Sequence, residues 1–146
     1  MSLREALLIK EFGYFEGIAQ AVVNADGHCV YCREDLLQTR LGYSSITMDH
    51  LLPKSLHPEL AWEKSNHVLA CSSCNGMKGN YNPLQAGEVG AEMLSAQQSQ
   101  LIERVRSYLA VAIQKRRSEW ERVKQIVREA PPAAQTDGPA SGGPAA

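Results

Sequence analysis

The apolar positions run at helical spacing at both ends of the chain and at strand spacing only in its middle. Leu3, Leu7, Phe15, Ile18 and Val22 share one helical face, and Ser2 followed by Glu5 has the form of a capping box. This pattern predicts a helix over about 2–24, ended by the turn chemistry of Asn24-Ala25-Asp26-Gly27. Further on, Ile46-Thr47-Met48 reads as a strand entering Asp49-His50, and Val68-Leu69-Ala70 reads as its antiparallel partner. The loop between them, roughly 51–66, contains Pro53 and Pro58 and is long for a small domain, which marks it as functional. A short helix is expected from near Cys74 to Gly79, then a loop over 80–90. From about 92 to 129, Leu94, Leu101, Val105, Tyr108, Ala112, Trp120, Val123 and Val127 return every three or four positions. They predict one long amphipathic helix, or two with a break near Lys115-Arg116-Arg117. Packing against the N-terminal helix accounts for that stripe, with a dimer seam as the alternative.

Residues 130–146 are almost entirely Ala, Pro, Gly, Gln, Ser and Thr, too polar and small to offset their ordering entropy, so a disordered tail is expected there. The remaining residues, 1–129, make one domain by length. No apolar run approaches a membrane span, and the charged, helical N-terminus does not read as a signal peptide, which points to a cytoplasmic protein without a membrane partner. The net charge of −1 hides an asymmetry. Residues 1–100 carry seven Lys/Arg against eleven Asp/Glu, whereas residues 101–129 carry eight Lys/Arg against four Glu. Attraction for a polyanion then rests on the C-terminal segment, with Lys115, Arg116 and Arg117 at its centre, and on a few placed lysines.

All four cysteines fall in two pairs, Cys29-x-x-Cys32 and Cys71-x-x-Cys74, with 38 residues between them. Two such turns complete a closed four-thiolate zinc site, which is structural because no coordination position is left for substrate. Two free-thiol pairs, a redox dithiol and disulfides are the competing readings; the dithiol lacks its usual strand-helix setting and the disulfides a suitable compartment. The long insert suggests that a working unit lies between the knuckles.

That insert contains Asp49-His50-Leu51-Leu52-Pro53-Lys54-Ser55, and Asn75-Gly76-Met77-Lys78-Gly79 follows directly on the second knuckle. Neighbouring strand residues point to opposite sides, so Asp49 and His50 can divide labour: a carboxylate suits a hard divalent ion, and an imidazole suits proton abstraction from water. Asn75 can add a neutral oxygen to the same ion. Taken singly, Asp-His also suits a turn hydrogen bond and Asn75 a helix cap. In order, however, Cys-x-x-Cys, Asp-His-x-x-Pro-x-Ser, Asn66-x-Val-Leu-Ala-Cys-x-x-Cys-Asn-x-x-Lys-Gly resembles the zinc-bearing branch of the HNH endonucleases over residues 29–79.

The resemblance implies a small α+β fold, a ββα-metal core over about 27–80 with a structural Zn²⁺, flanked here by an N-terminal helix and a C-terminal helical extension over about 92–129. It implies that His50 is the general base, that Asp49 and Asn75 hold a catalytic Mg²⁺ or Mn²⁺, and that Asn66 holds the loop and orients the base. Lys78 matches a position associated with the substrate backbone, and Lys54 is a further candidate contact. Two departures stand out: His67 occupies a position that is usually apolar in the family, and Leu56-His57-Pro58 replaces a glycine pair. The implied activity is hydrolysis of phosphodiester bonds in nucleic acid, DNA ahead of RNA, with a partner protein or a homodimer helping to hold it. The alternative is a zinc-dependent nucleic-acid-binding or protein-interaction module without turnover.

Overall fold

The computed structural model describes residues 1–129; the expected tail, 130–146, lies outside them. The elements run α1 (Leu3–Phe12), α2 (Glu16–Asn24), α3 (Arg40–Ser44), β1 (Ile46–His50), β2 (His67–Cys71), α4 (Ser72–Lys78), α5 (Gly90–Ala96) and α6 (Gln98–Arg128). Two compact units divide after Gln114, inside α6.

The expected N-terminal helix is two helices. Ser2 and Glu5 form the capping box of α1, but Gly13 adopts φ +68° and returns its N–H to Ile9, closing the helix with a left-handed cap. Phe15 then stands at the start of α2 without a side-chain cap bond. The predicted stripe is broken with the helix: Leu3 and Phe15 are exposed, while Gly17, Ala19, Ala21 and Val22 of α2 are buried.

The hairpin follows the expected register, with Ile46 opposite Cys71, Asp49 opposite Val68 and His50 opposite His67. Alternation puts Met48, His50 and His67 on one face and Thr47 and Asp49 on the other. Helix α2 covers the first face, and Gly17 is what allows the approach: a Cβ there would lie 2.1 Å from His67 Nδ1. Helix α4 covers the second face, where Asn75 Nδ2 donates to Thr47 Oγ1 at 3.1 Å. The hairpin is thus clamped between two short helices, and the two faces carry different chemistry.

The first knuckle joins the hairpin at its edge, with the Val30 N–H donating to the Leu69 carbonyl at 2.9 Å. The 51–66 loop is ordered by two single 3₁₀ turns, Pro58–Leu60 and Lys64–Asn66. C-terminally, the helical segment is interrupted at Gln97, and α6 continues unbroken through Lys115-Arg116-Arg117. Only Leu101, Val105 and Leu109 of α6 are buried. They join a core made by Leu36, Leu51, Leu52, Leu69 and the cysteines, and Arg106 Nε donates to the Val30 carbonyl at 2.6 Å. Tyr108, Trp120, Val123 and Val127 are exposed, so the apolar stripe is covered over less of its length than its periodicity suggested.

Candidate metal centre and active-site faces

Cys29, Cys32, Cys71 and Cys74 converge with their sulfurs all within 4.8 Å of one another. Four thiolates about 2.3 Å from a tetrahedral zinc stand about 3.8 Å apart, and Cys32 Sγ and Cys71 Sγ are 3.9 Å apart. None of the four is in a disulfide. Mutual hydrogen bonds, that from Cys32 first, pull Cys29 toward the thiolate, and the bond to Cys29 in turn pushes the Cys32 and Cys74 thiols up. Donor type, number and spacing fit a closed zinc site that staples the first knuckle to the β2–α4 junction.

Directly beside this cluster, on the α4 face, Asp49 is buried. Its Oδ2 accepts the Tyr31 hydroxyl at 2.6 Å and lies 3.1 Å from Lys78 Nζ. Burial, followed by the charge of Asp49, pushes the Tyr31 hydroxyl far up, so it stays an O–H donor. Lys78 also donates to the His50 carbonyl at 2.8 Å, and its side chain is 0% exposed. Lys78, which the resemblance matched to a position associated with the substrate backbone, thus has its ammonium buried on Asp49 and the His50 carbonyl. From the last turn of α4 the side chain runs inward, because that helix lies against Asp49 and a buried carboxylate holds an ammonium more firmly than solvent-facing neighbours do. Asn75 lies on the same side, half-buried, with its amide nitrogen on Thr47. Asp49 and Asn75 thus flank one face of the hairpin and offer oxygen donors of the type a hard divalent ion takes. Such an ion would have to share Asp49 with Lys78 and Tyr31.

The opposite face carries His50. Its Nε2 is 2.9 Å from the Ala61 carbonyl, and His67 Nε2 is 2.9 Å from the same oxygen. A carbonyl only accepts, so each ring presents Nε2–H and a neutral ring keeps its lone pair on Nδ1. The two imidazoles meet edge to face, centroids 5.2 Å apart at 88°. Desolvation lowers the His50 pKa, keeping the ring neutral near pH 7. His67 is buried, and its Nδ1, against α2, has no hydrogen-bond partner among the described residues. It is a packing neighbour of His50, a role its position in the sequence did not suggest.

Asn66 is completely buried, and its side-chain hydrogen bonds go to main-chain groups of the loop. Its Oδ1 accepts the Leu52 N–H at 2.7 Å, and its Nδ2 donates to the Leu52 and Leu60 carbonyls at 3.0 and 3.1 Å. It ties the ends of the loop together at Leu52 and at Leu60, whose next residue, Ala61, orients His50. Lys54 is exposed on that side. Lys115, Arg116 and Arg117 are exposed in the second unit, with Arg116 paired to Glu119. The structure thus brings Asp49, Asn75 and Lys78 together on one face and His50, Lys54 and the loop held by Asn66 on the other. Tyr31 and the Ala61 carbonyl were missed by sequence reasoning. Tyr31, enclosed within Cys-x-x-Cys, was the one available signal.

A two-stranded hairpin followed by a helix, stapled by a four-cysteine cluster, defines a small α+β protein of the ββα-metal kind. The HNH endonuclease family model matches residues 29–81, just over a third of the chain and the whole of this unit. No curated protein matches the chain. No helix among the described residues is long and apolar enough to cross a membrane.

Proposed function

We propose that this protein is a metal-dependent endonuclease that hydrolyses phosphodiester bonds in nucleic acid, DNA being the first substrate to test, from a single nuclease domain over residues 1–129. The observation that carries this reading is the state of His50: a neutral imidazole, its Nε2–H fixed on the Ala61 carbonyl and its Nδ1 left to accept a proton. Water positioned at Nδ1 loses its proton to the ring as it attacks phosphorus. Asn66 keeps the loop, and through it the ring, from turning. Across the strand, Asp49 and Asn75 are the residues to hold Mg²⁺ or Mn²⁺. When bound, that ion supplies charge stabilisation for the phosphoryl and departing oxygens. The zinc cluster fixes the joint between β2 and α4 and so the position of Asn75 relative to Asp49. Lys54 supplies positive charge beside the base, and Lys115, Arg116 and Arg117 supply a sequence-independent attraction.

The competing reading, a zinc-dependent binding module without turnover, is favoured by one observation: Asp49 is already satisfied by Tyr31 and Lys78. Incubation of the purified protein with plasmid and with structured RNA, in Mg²⁺, in Mn²⁺ or in EDTA, separates the two. Cleavage that requires the divalent ion and disappears in His50→Ala, with zinc content retained, supports the nuclease. Binding without cleavage under every metal condition supports the module.

A further inference from the structure

On the His50 face, a mostly apolar cavity of about 470 Å³ opens between the α1–α2 turn and the 51–66 loop. That is a volume typical of small-ligand sites. Phe15, from the turn, and Trp62, from the loop, line it while remaining 84% and 88% exposed. Neither ring is used by the fold. Phe15 even occupies the cap position of α2, where a small polar side chain is normally preferred. Two large rings brought from separate segments to one concave site, both left open to solvent, mark a surface that stacks on something.

The charges at the rim say what. Lys54 makes no ion pair among the described residues, Lys64 neutralises Glu16, and His50 itself forms part of the wall. An apolar slot edged with uncompensated positive charge, and sharing a wall with a base aimed at phosphodiesters, fits a planar aromatic group attached to a phosphate. We propose that this cavity takes an unstacked nucleobase of the substrate strand, its ring against Trp62 or Phe15 and its phosphates beside Lys54. The protein accordingly engages single-stranded or locally unpaired nucleic acid in preference to continuous duplex. The inference deepens the nuclease reading and rests on it for the direction of the strand, but it is tested by binding.

The chain contains two tryptophans, Trp62 and Trp120. In the zinc-loaded full-length Trp120→Phe variant, emission reports on Trp62 alone. Titration without added divalent metal uses a mixed-sequence single-stranded oligodeoxynucleotide of about ten residues, within the usual range of single-strand site sizes. The same strand annealed to its complement and its RNA counterpart form the other arms. The expected result is quenching of Trp62 by the single strand, with duplex binding about tenfold weaker or more. Trp62→Ala is expected to lose about tenfold in single-strand affinity with zinc content and duplex affinity unchanged. Quenching by the DNA or the RNA strand supports the inference, and the tighter arm identifies the sugar. Absence of quenching, equal affinity for single strand and duplex, or parental affinity in Trp62→Ala overturns it, leaving the cavity to an apolar peptide or to solvent. His50-dependent plasmid cleavage without a Trp62 response removes the pocket and keeps the nuclease. A Trp62 response without His50-dependent cleavage keeps the pocket and removes the nuclease.

Discussion

Replacing Lys78 by methionine keeps most of the side chain's volume and removes its charge. The structure makes the consequence specific. With its side chain 0% exposed, Lys78 lies 3.1 Å from an Asp49 carboxylate that is itself only 8% exposed, and donates to the His50 carbonyl. Loss of one partner of a buried pair leaves the other charge desolvated, which costs about 3–5 kcal/mol. Against the roughly 5–15 kcal/mol that holds a typical domain together, Lys78→Met leaves the fold marginal. Asp49→Asn strands the ammonium instead and is expected to destabilise similarly. In the double variant the amide still accepts the Tyr31 hydroxyl and no unpaired charge remains, so the combined loss falls short of the sum by about 0.5–3 kcal/mol, the range of coupling between contacting residues. Denaturant unfolding of the four zinc-loaded proteins measures this cycle. Losses below about 1 kcal/mol for each single variant, strictly additive in the double, refute the argument.

Three further outcomes are expected. Cys71→Ser removes one of four ligands and abolishes zinc retention together with cooperative unfolding, because zinc binding at a structural site is part of the folding free energy; elemental analysis and circular dichroism check it. Gly17→Ala, favourable by helix propensity, instead destabilises by about 1–3 kcal/mol because the new methyl would meet the His67 ring at 2.1 Å, and a raised melting temperature contradicts this. Glu88 is pulled from its ordinary value of 4.5 to about 2 by its hydrogen bond with Arg104 and then by the Gln85 N–H. Because the folded pKa is the lower one, the pair's stabilisation is present above the ordinary value and is lost as pH falls toward about 2. The gap in stability between parent and Glu88→Gln is therefore expected to close on acidification, and a gap independent of pH removes the assignment.

The hairpin, both knuckles and the separation of Asp49 from His50 were legible in the sequence because each is fixed by short-range rules: a period of two along a strand, and two residues between paired thiols. Where a choice depended on distant packing, the sequence was silent. Gly13 did not announce the break between α1 and α2, since one glycine in a helical pattern costs only about 1 kcal/mol and is compatible with continuation. Phe15 fitted the apolar stripe by spacing, yet the break turned it out to solvent. For Lys78 the resemblance implied a position associated with the substrate backbone, but a lysine's length lets it point either way, and only the placement of α4 over Asp49 decides the direction. The continuity of α6 through Lys115-Arg116-Arg117 was one of the two alternatives left open, because a run of good helix formers carries no break signal of its own.

The carbonyl of Ala61 gathers the N–H groups of both His50 and His67. Because this acceptor belongs to the main chain, position 61 itself can change side chain freely without removing it, and an alanine scan of the face will pass over the group that sets the ring's tautomer. Sensitivity is displaced to residues that set the path of the chain. Inserting or deleting one residue between Leu52 and Asn66 moves the acceptor, so both imidazoles lose their anchor at once, although every side chain of the site is still present. In this protein the orientation of the base is written in the length of a loop.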